Sequence, residues 1–310
     1  MLSELRAWSG SIDTVAMQRL ASRCWPHGLH PGGLGWSQST DQLAEDIVIV
    51  DDGDGGVAGW AGITQPSHLV MQVAPGRPEV TEVLVGWLIR TAKGPDRIID
   101  TYDDQTRDTL FQHGFERVDP PFGYYRMREP GLRAAVTDIT AASPPGYEIR
   151  NVRLDEADER VETHRAAWRP ADLPFNPDHR PDMDEAWTSS FTPETYRRVQ
   201  DNALYDPELD LVVVAPDGSL AGCCIGWFDP VTGWVEIEPL GVVPEHRRRG
   251  LAVAMCAEIA ARTAHRGGHH VFINTAASDM YPAPNAAYTK AGFTPYLRSV
   301  TVRHREGRPK

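Results

Sequence analysis

The sequence predicts an α/β (α+β) protein built as two tandem copies of one layout. Three observations carry this: a hairpin pattern that occurs twice, a strand, turn and helix that follow each hairpin, and a helix closing in Gly-Phe near the end of each copy.

The first hairpin is IVIVDDGDGGVAGWAGI (residues 47–63), a β-branched run, a Gly/Asp turn and a second run. LVVVAPDGSLAGCCIGW (residues 211–227) has the same order. Next come VMQVAPGRPEVTEVLVGWLIRTAKG (residues 70–94) and VEIEPLGVVPEHRRRGLAVAMCAEIAARTAHRGG (residues 235–268), each reading as strand, turn and helix. In the second, Leu251, Met255 and Ile259 form an apolar face, and Gly267-Gly268 supply the stop. A short strand follows in each copy, at residues 97–100 and 271–274. The helices then end in LFQHGF (residues 110–115) and YTKAGF (residues 288–293), and each copy is expected to finish on an extended segment, GYYRMR or SVTVRH.

Between the copies, residues 131–150 are rich in small side chains and carry Pro144-Pro145-Gly146, a boundary signal. The expected division is a first domain at residues 1–130, a linker at 131–146 and a second domain at 147–310.

A formal charge of −12 disfavours nucleic acid and anionic membrane as partners, because phosphates are bound mainly through Lys and Arg. The opening residues lack a basic segment followed by an apolar run, and no window has the roughly eighteen apolar residues of a membrane span. A soluble, cytoplasmic protein is expected, monomer or homodimer. Cys24, Cys223, Cys224 and Cys256 show no ligand spacing and read as buried thiols, with Cys223 and Cys224 on opposite faces of a strand. His269 and His270 have no carboxylate or cysteine at ligand spacing, so no metal is assigned.

The sharpest chemical feature is Arg247-Arg248-Arg249-Gly250-Leu251-Ala252, where a strand runs through a basic turn into a helix. The first amides of a helix lack intrahelical partners and, with the helix dipole, favour an anion. Gly250 and Ala252 allow an anion to approach the backbone, and arginines at a helix start oppose the dipole unless an anion is present.

The R-x-x-G-x-A pattern after a V-x-P strand end, followed in order by Y-x-x-x-G-F at YTKAGF, resembles the GNAT acyltransferase superfamily. The likeness covers residues 147–304 well and residues 1–128 in weaker form. It implies two tandem GNAT folds, each a mixed, mostly antiparallel central sheet flanked by helices, with acetyl-CoA or another acyl-CoA as co-substrate. It also implies that Leu240, Gly241 and Val242 offer backbone groups to the pantetheine arm, and that Arg247 through Val253 hold the pyrophosphate. By the same resemblance Asn274 lies where the cofactor splays the sheet; an ordinary strand-end turn residue is the alternative. Tyr288 stands where family members carry the tyrosine that protonates the leaving thiolate.

For the base, Glu236 and Glu238 lie at i, i+2 on the strand before the turn, so both face one side. Carboxylates there suggest a wet cleft or a raised pKa. Glu236 has the family's usual separation from Arg247, and Glu238 sits in an E-P-x-G-x-x-P variant; both remain candidates.

In the first copy the turn is APGRPEVTEVL (residues 74–84), with Pro75 and Pro78 and no glycine where the helix begins, and Leu110 replaces Tyr288. That copy is expected to keep the plan without binding the cofactor, as in tandem relatives such as mycothiol synthases. In the second copy, residues 169–191 form a long insertion in which Asp178, Asp182, Asp184 and Glu185 suit a cationic amine; Phe175 and Trp187, with Trp168 just before it, supply walls. A polar surface loop is the bland alternative. The implied activity is N-acetyl transfer to a primary amine of a small molecule by direct attack. A mycothiol-synthase-like acetyltransferase and a non-catalytic acyl-CoA-binding regulator are the alternatives.

Overall fold

The computed structural model describes residues 4–44, 46–65, 68–93, 96–118, 131–140, 143–169, 172–179, 187–275 and 279–305. They form two compact units, one of Met1–Tyr125 with Leu297–Lys310 and one of Arg126–Tyr296.

The first unit runs β1 (Leu5–Ala7), α1 (Ser11–Cys24), α2 (Pro31–Ser39), β2 (Asp46–Asp51), β3 (Val57–Gln65), β4 (His68–Val73), α3 (Pro78–Thr91), β5 (Asp96–Thr101), α4 (Asp104–Gln112) and β6 (Glu116–Arg117). The chain returns at its end to add β14 (Val300–Arg305), giving the sheet order β1-β2-β3-β4-β5-β14-β6. The pairing of β4 with β5 is parallel, and β14 lies antiparallel to β5 with Val302 opposite Ile99. α3 begins on Pro78, whose missing N–H costs nothing at a helix start, and Asp103 caps α4 by accepting from Thr106 N at 2.6 Å.

The second unit runs β7 (Gly131–Ala135), β8 (Glu148–Asn151), α5 (Ala157–Ala167), α6 (Pro193–Gln200), β9 (Asp210–Val214), β10 (Leu220–Asp229), β11 (Trp234–Val242), α7 (Leu251–His265), β12 (His270–Ile273), α8 (Pro282–Lys290) and β13 (Thr294–Leu297). Its sheet order is β13-β7-β12-β11-β10-β9-β8, and β11 pairs with β12 in parallel. The two mixed sheets with their helices are the tandem α/β arrangement the repeat predicts.

The repeat extends to hydrogen bonds at the helix ends. Phe115 N–H reaches Leu110 O and Phe293 N–H reaches Tyr288 O, each at 3.0 Å, around Gly114 (φ +82°) and Gly292 (φ +100°). At the end of α7, Gly268 N–H bonds Thr263 O and Gly267 N–H bonds Ala264 O, both at 2.9 Å, the six-to-one and five-to-two bonds of a Schellman stop.

Two segments differ from the sequence reading. Residues 131–135, expected as linker, are β7 and pair with β12, Leu132 opposite Ile273. The glycine that opens β7 is a packing requirement: a Cβ on Gly131 would stand 2.4 Å from Phe272 Cε2. The SVTVRH segment, expected to close the second copy, supplies β14 to the first unit instead. Hydrophobic alternation specifies a strand but not which open sheet edge receives it. The GYYRMR segment lies outside the described residues.

Beneath α7, Met255, Cys256 and Ile259 pack with Leu211, Val213, Cys224, Val235 and Ile237 into the main core of the second unit. Cys223 faces away from it, with Val212 and Trp168, so the adjacent cysteines do take opposite faces. Gly226 gives α7 its approach, since a Cβ there would lie 3.0 Å from Ile259 Cδ1.

Candidate active site

β11 and β12 are paired only from Trp234↔His270 to Glu236↔Phe272. β12 ends at Ile273 while β11 continues to Val242. The parted strands leave a cleft of about 660 Å³ between β11, the start of α7, the end of β12 and one side of α8. On the other side β11 stays paired with β10, Cys223 opposite Gly241 and Gly222 opposite Val242. Val243 N–H bonds Ala221 O at 3.0 Å, so by antiparallel alternation the backbone groups of Leu240 and Val242 face the open side.

Between Ile237↔Gly226 and Leu240↔Cys224 the register slips, and Ile225 faces two residues of β11, Glu238 and Pro239. This bulge re-aims the strand where the cleft opens. Trp227 Nε1 fixes it by donating to Glu238 O at 2.6 Å. Glu238 lines the cleft, and burial, with the Glu236 charge second, pushes its carboxyl up to about 8. Glu236 does not line the cleft. It is 1 % exposed, and Asn274 Nδ2 donates to its Oε1 at 2.7 Å.

Tyr288 is buried and lines the cleft from α8. Burial is the largest reason its phenol is held well above the usual range, with Cys256 and Glu238 adding to it, so it stays a proton donor. Tyr281, just before α8, lines the same cleft, and its phenol is also raised by burial. The sequence offered no signal for Tyr281, because it lies in no motif and only the fold brings it beside Tyr288.

The basic turn enters α7 through two left-handed residues, Arg248 (φ +63°) and Gly250 (φ +84°). Gly250 is the N-cap and no side chain caps the helix. The first backbone bond reaching back from α7 is Ala254 N–H to Gly250 O at 3.0 Å. The N–H groups of Leu251, Ala252 and Val253 therefore have no intrahelical acceptor, and these residues line the cleft. Space beside Gly250 is open, its nearest neighbour to an added Cβ being Pro144 Cγ at 3.9 Å. A concave run of free amides at a positive helix end suits an anionic group.

The three arginines divide. Arg247 lines the cleft but its guanidinium is committed to carbonyls: Nε to Val242 O at 3.1 Å, Nη2 to Ala167 O at 3.1 Å and Nη1 to Asp172 O. It fastens the turn to the end of α5 rather than presenting charge. Arg248 is exposed and lines the cleft; Arg249 is exposed and does not. Of the other residues singled out in the sequence, Leu240, Gly241, Val242 and Asn274 all line it.

Trp168, following α5, also lines the cleft, with its ring against the backbone of Gly241, where a Cβ would meet Trp168 Cζ3 at 2.3 Å. His164 stacks on that indole at 4.4 Å, and burial, then the charge of Arg160, lowers its pKa to about 2, so the stacked ring is neutral. The insertion docks beside the site: Asn176 N–H bonds Met280 O at 2.8 Å, Asn176 Nδ2 bonds Asp279 O at 2.9 Å, and Phe175 packs on Tyr281 at 4.9 Å. Trp187 is exposed, and Asp182, Asp184 and Glu185 lie outside the described residues.

No helix of the described residues is long and apolar enough to cross a membrane. Residues 176–293 match the family model described as the Acetyltransferase (GNAT) family. A search of curated proteins gives no match. Among solved structures, the chain is similar to a GCN5-related N-acetyltransferase from Sphaerobacter thermophilus, at 22 % identity and TM-score 0.53 over 99 % of this chain and 97 % of that one. It is also similar to a tandem GNAT protein from the clavulanic acid biosynthesis pathway, at 16 % identity and TM-score 0.55 over 99 % and 100 %. A GNAT-family acetyltransferase from Colwellia psychrerythraea has 11 % identity and TM-score 0.59 over 97 % and 100 %. These likenesses extend over both units and are likenesses of fold.

Proposed function

Since the chain has two tandem GNAT folds and its second unit carries the GNAT-family domain, we propose that the second unit transfers an acetyl group from acetyl-CoA to a primary amine of a small molecule. The observation that carries this reading is the convergence of Glu238, Tyr288 and the free amides at the start of α7 on one cleft.

The cleft fits an acyl-CoA in two respects. The open edge of β11 at Leu240 and Val242 has backbone groups for an amide-bearing arm, and the α7 amides with Arg248 suit a pyrophosphate. When bound, acetyl-CoA supplies the activated thioester. Glu238, as carboxylate, takes a proton from the attacking amine nitrogen. As the new C–N bond forms and the C–S bond breaks, Tyr288 gives its phenol proton to the departing sulfur. Asn274 holds Glu236, which keeps Glu238 strongly basic through its charge. The insertion around Asp172 to Asn176 borders the acceptor side, and the acidic surface favours a cationic amine. Loss of the glycine and tyrosine in the first copy makes the second unit the catalytic one.

The test is thiol release from acetyl-CoA against a panel of small amines, with product acetylation read by mass spectrometry. Acceleration by an amine in wild type, lost in Tyr288→Phe and Glu238→Gln, supports the reading. Retained acetyl-CoA binding with no amine accelerating thiol release overturns it in favour of a non-catalytic binder.

A further inference from the structure

The first unit has its own cavity, of about 210 Å³, at the place equivalent to the cleft of the second: the ends of β4 and β5, the end of α1 and the start of α4. Val73 pairs with Gly59 as Val242 pairs with Gly222, so Gln72 stands where the second unit has Gly241. Trp25 follows α1 as Trp168 follows α5.

Gln72 is 5 % exposed and lines this cavity, and neither its Oε1 nor its Nε2 has a hydrogen-bond partner among the described residues. Its polar neighbour, the Cys24 thiol, gives its proton to Val73 O at 3.3 Å, leaving only a weak sulfur acceptor beside the amide. Gly28 closes over the amide, since a Cβ there would fall 2.0 Å from Gln72 Nε2. A buried primary amide with both ends unmet is costly, whichever way it is turned.

We propose that this cavity binds a small neutral carboxamide whose donor and acceptor meet both ends of the Gln72 side chain. The chemistry of the lining selects that class. A carboxylate would leave Oε1 without a donor and would face Asp100 and Asp103, which line the same cavity. An ammonium would leave Nε2 without an acceptor. An amide edge satisfies both. The volume is below the roughly 300 Å³ at which drug-sized pockets begin, and Pro75 and Pro78 interrupt the amide run that a pyrophosphate needs. The cavity is thus a distinct small-molecule site rather than a second acyl-CoA site.

The experiment is saturation-transfer NMR on the full chain with three matched pyridines: nicotinamide, nicotinate and 3-(aminomethyl)pyridine. Nicotinamide is expected to bind, nicotinate and 3-(aminomethyl)pyridine are not, and Gln72→Leu is expected to weaken nicotinamide about tenfold or more while leaving thermal stability unchanged or raised. Gly28→Ala, whose Cβ would press on the Gln72 amide from the facing wall, should weaken it as well. Absence of nicotinamide binding, equal binding of nicotinate, or binding that survives both substitutions overturns the proposal. So does a Gln72→Leu protein that is strongly destabilised, because the amide would then be satisfied within the fold.

Discussion

Asn274 donates its side-chain amide to Glu236 Oε1 across 2.7 Å, and this bond separates two carboxylates that the sequence presents as equivalent. Glu236 is tied to the end of β12 and lies outside the cleft lining, whereas Glu238 lines it. Glu238→Gln is therefore expected to lower kcat by about a hundredfold or more, the range of general-base removal. Glu236→Gln, which keeps the shape and a hydrogen bond to Asn274, is expected to cost less than about tenfold. Steady-state kinetics with one fixed amine decide this, and the reverse ranking would transfer the role to Glu236.

Glu238 also predicts the pH dependence. Its carboxyl is pushed up to about 8, so the carboxylate form that the proposed base needs becomes the major form only above that pH. The rate is expected to rise from neutral pH with an inflection near 8, and Glu238→Gln should remove that inflection. Stability should move the other way. A carboxyl raised in the folded state stabilises fully below the ordinary carboxylate range and loses that contribution as pH rises towards 8. Urea denaturation at stepped pH should show this decline in wild type and a flatter profile in Glu238→Gln.

The arginines of the basic turn give opposite expectations. Arg247→Ala removes three bonds to carbonyls of β11, α5 and the insertion, so thermal stability should fall and acetyl-CoA affinity should follow only indirectly. Arg248→Ala leaves the fold unchanged and should weaken acetyl-CoA about tenfold, more so at low salt. Gly250→Glu should abolish acetyl-CoA binding by calorimetry while costing only about 1–2 kcal/mol for a left-handed residue. Unchanged binding in Gly250→Glu would remove the start of α7 from the cofactor site.

What the sequence made legible was local. The basic turn into α7 and the Gly-Phe stop after Tyr288 were readable because each depends on a few neighbouring residues. The doubled hairpins were readable from alternation alone. The role of Arg247 was not, because the carbonyls it meets, on Ala167 and Asp172, lie 80 and 75 residues earlier. β7 was hidden because its opening Gly131 reads as a linker residue, and the reason for that glycine is the Phe272 ring, which a Cβ there would meet. Gln72 was equally hidden, since a glutamine in a strand has meaning only once its burial is known.

Arg160 and Asp210 are both fully buried, paired Nε to Oδ1 at 3.2 Å, and Tyr196 and Tyr205 donate to Asp210 Oδ2 at 2.7 and 3.0 Å. Arg160 Nη1 and Nη2 have no hydrogen-bond partner among the described residues and lie near the rings of Phe191 and Tyr196. Asp210→Ala leaves this guanidinium without its counter-charge and is expected to cost about 3–5 kcal/mol in urea denaturation. Replacing both partners, Arg160→Met with Asp210→Leu, removes the buried charges together and should recover most of that loss, as apolar replacement of a buried pair does. A double variant as unstable as Asp210→Ala would show that the tyrosine bonds to Asp210, rather than the charge of Arg160, hold α5 and α6 to β9.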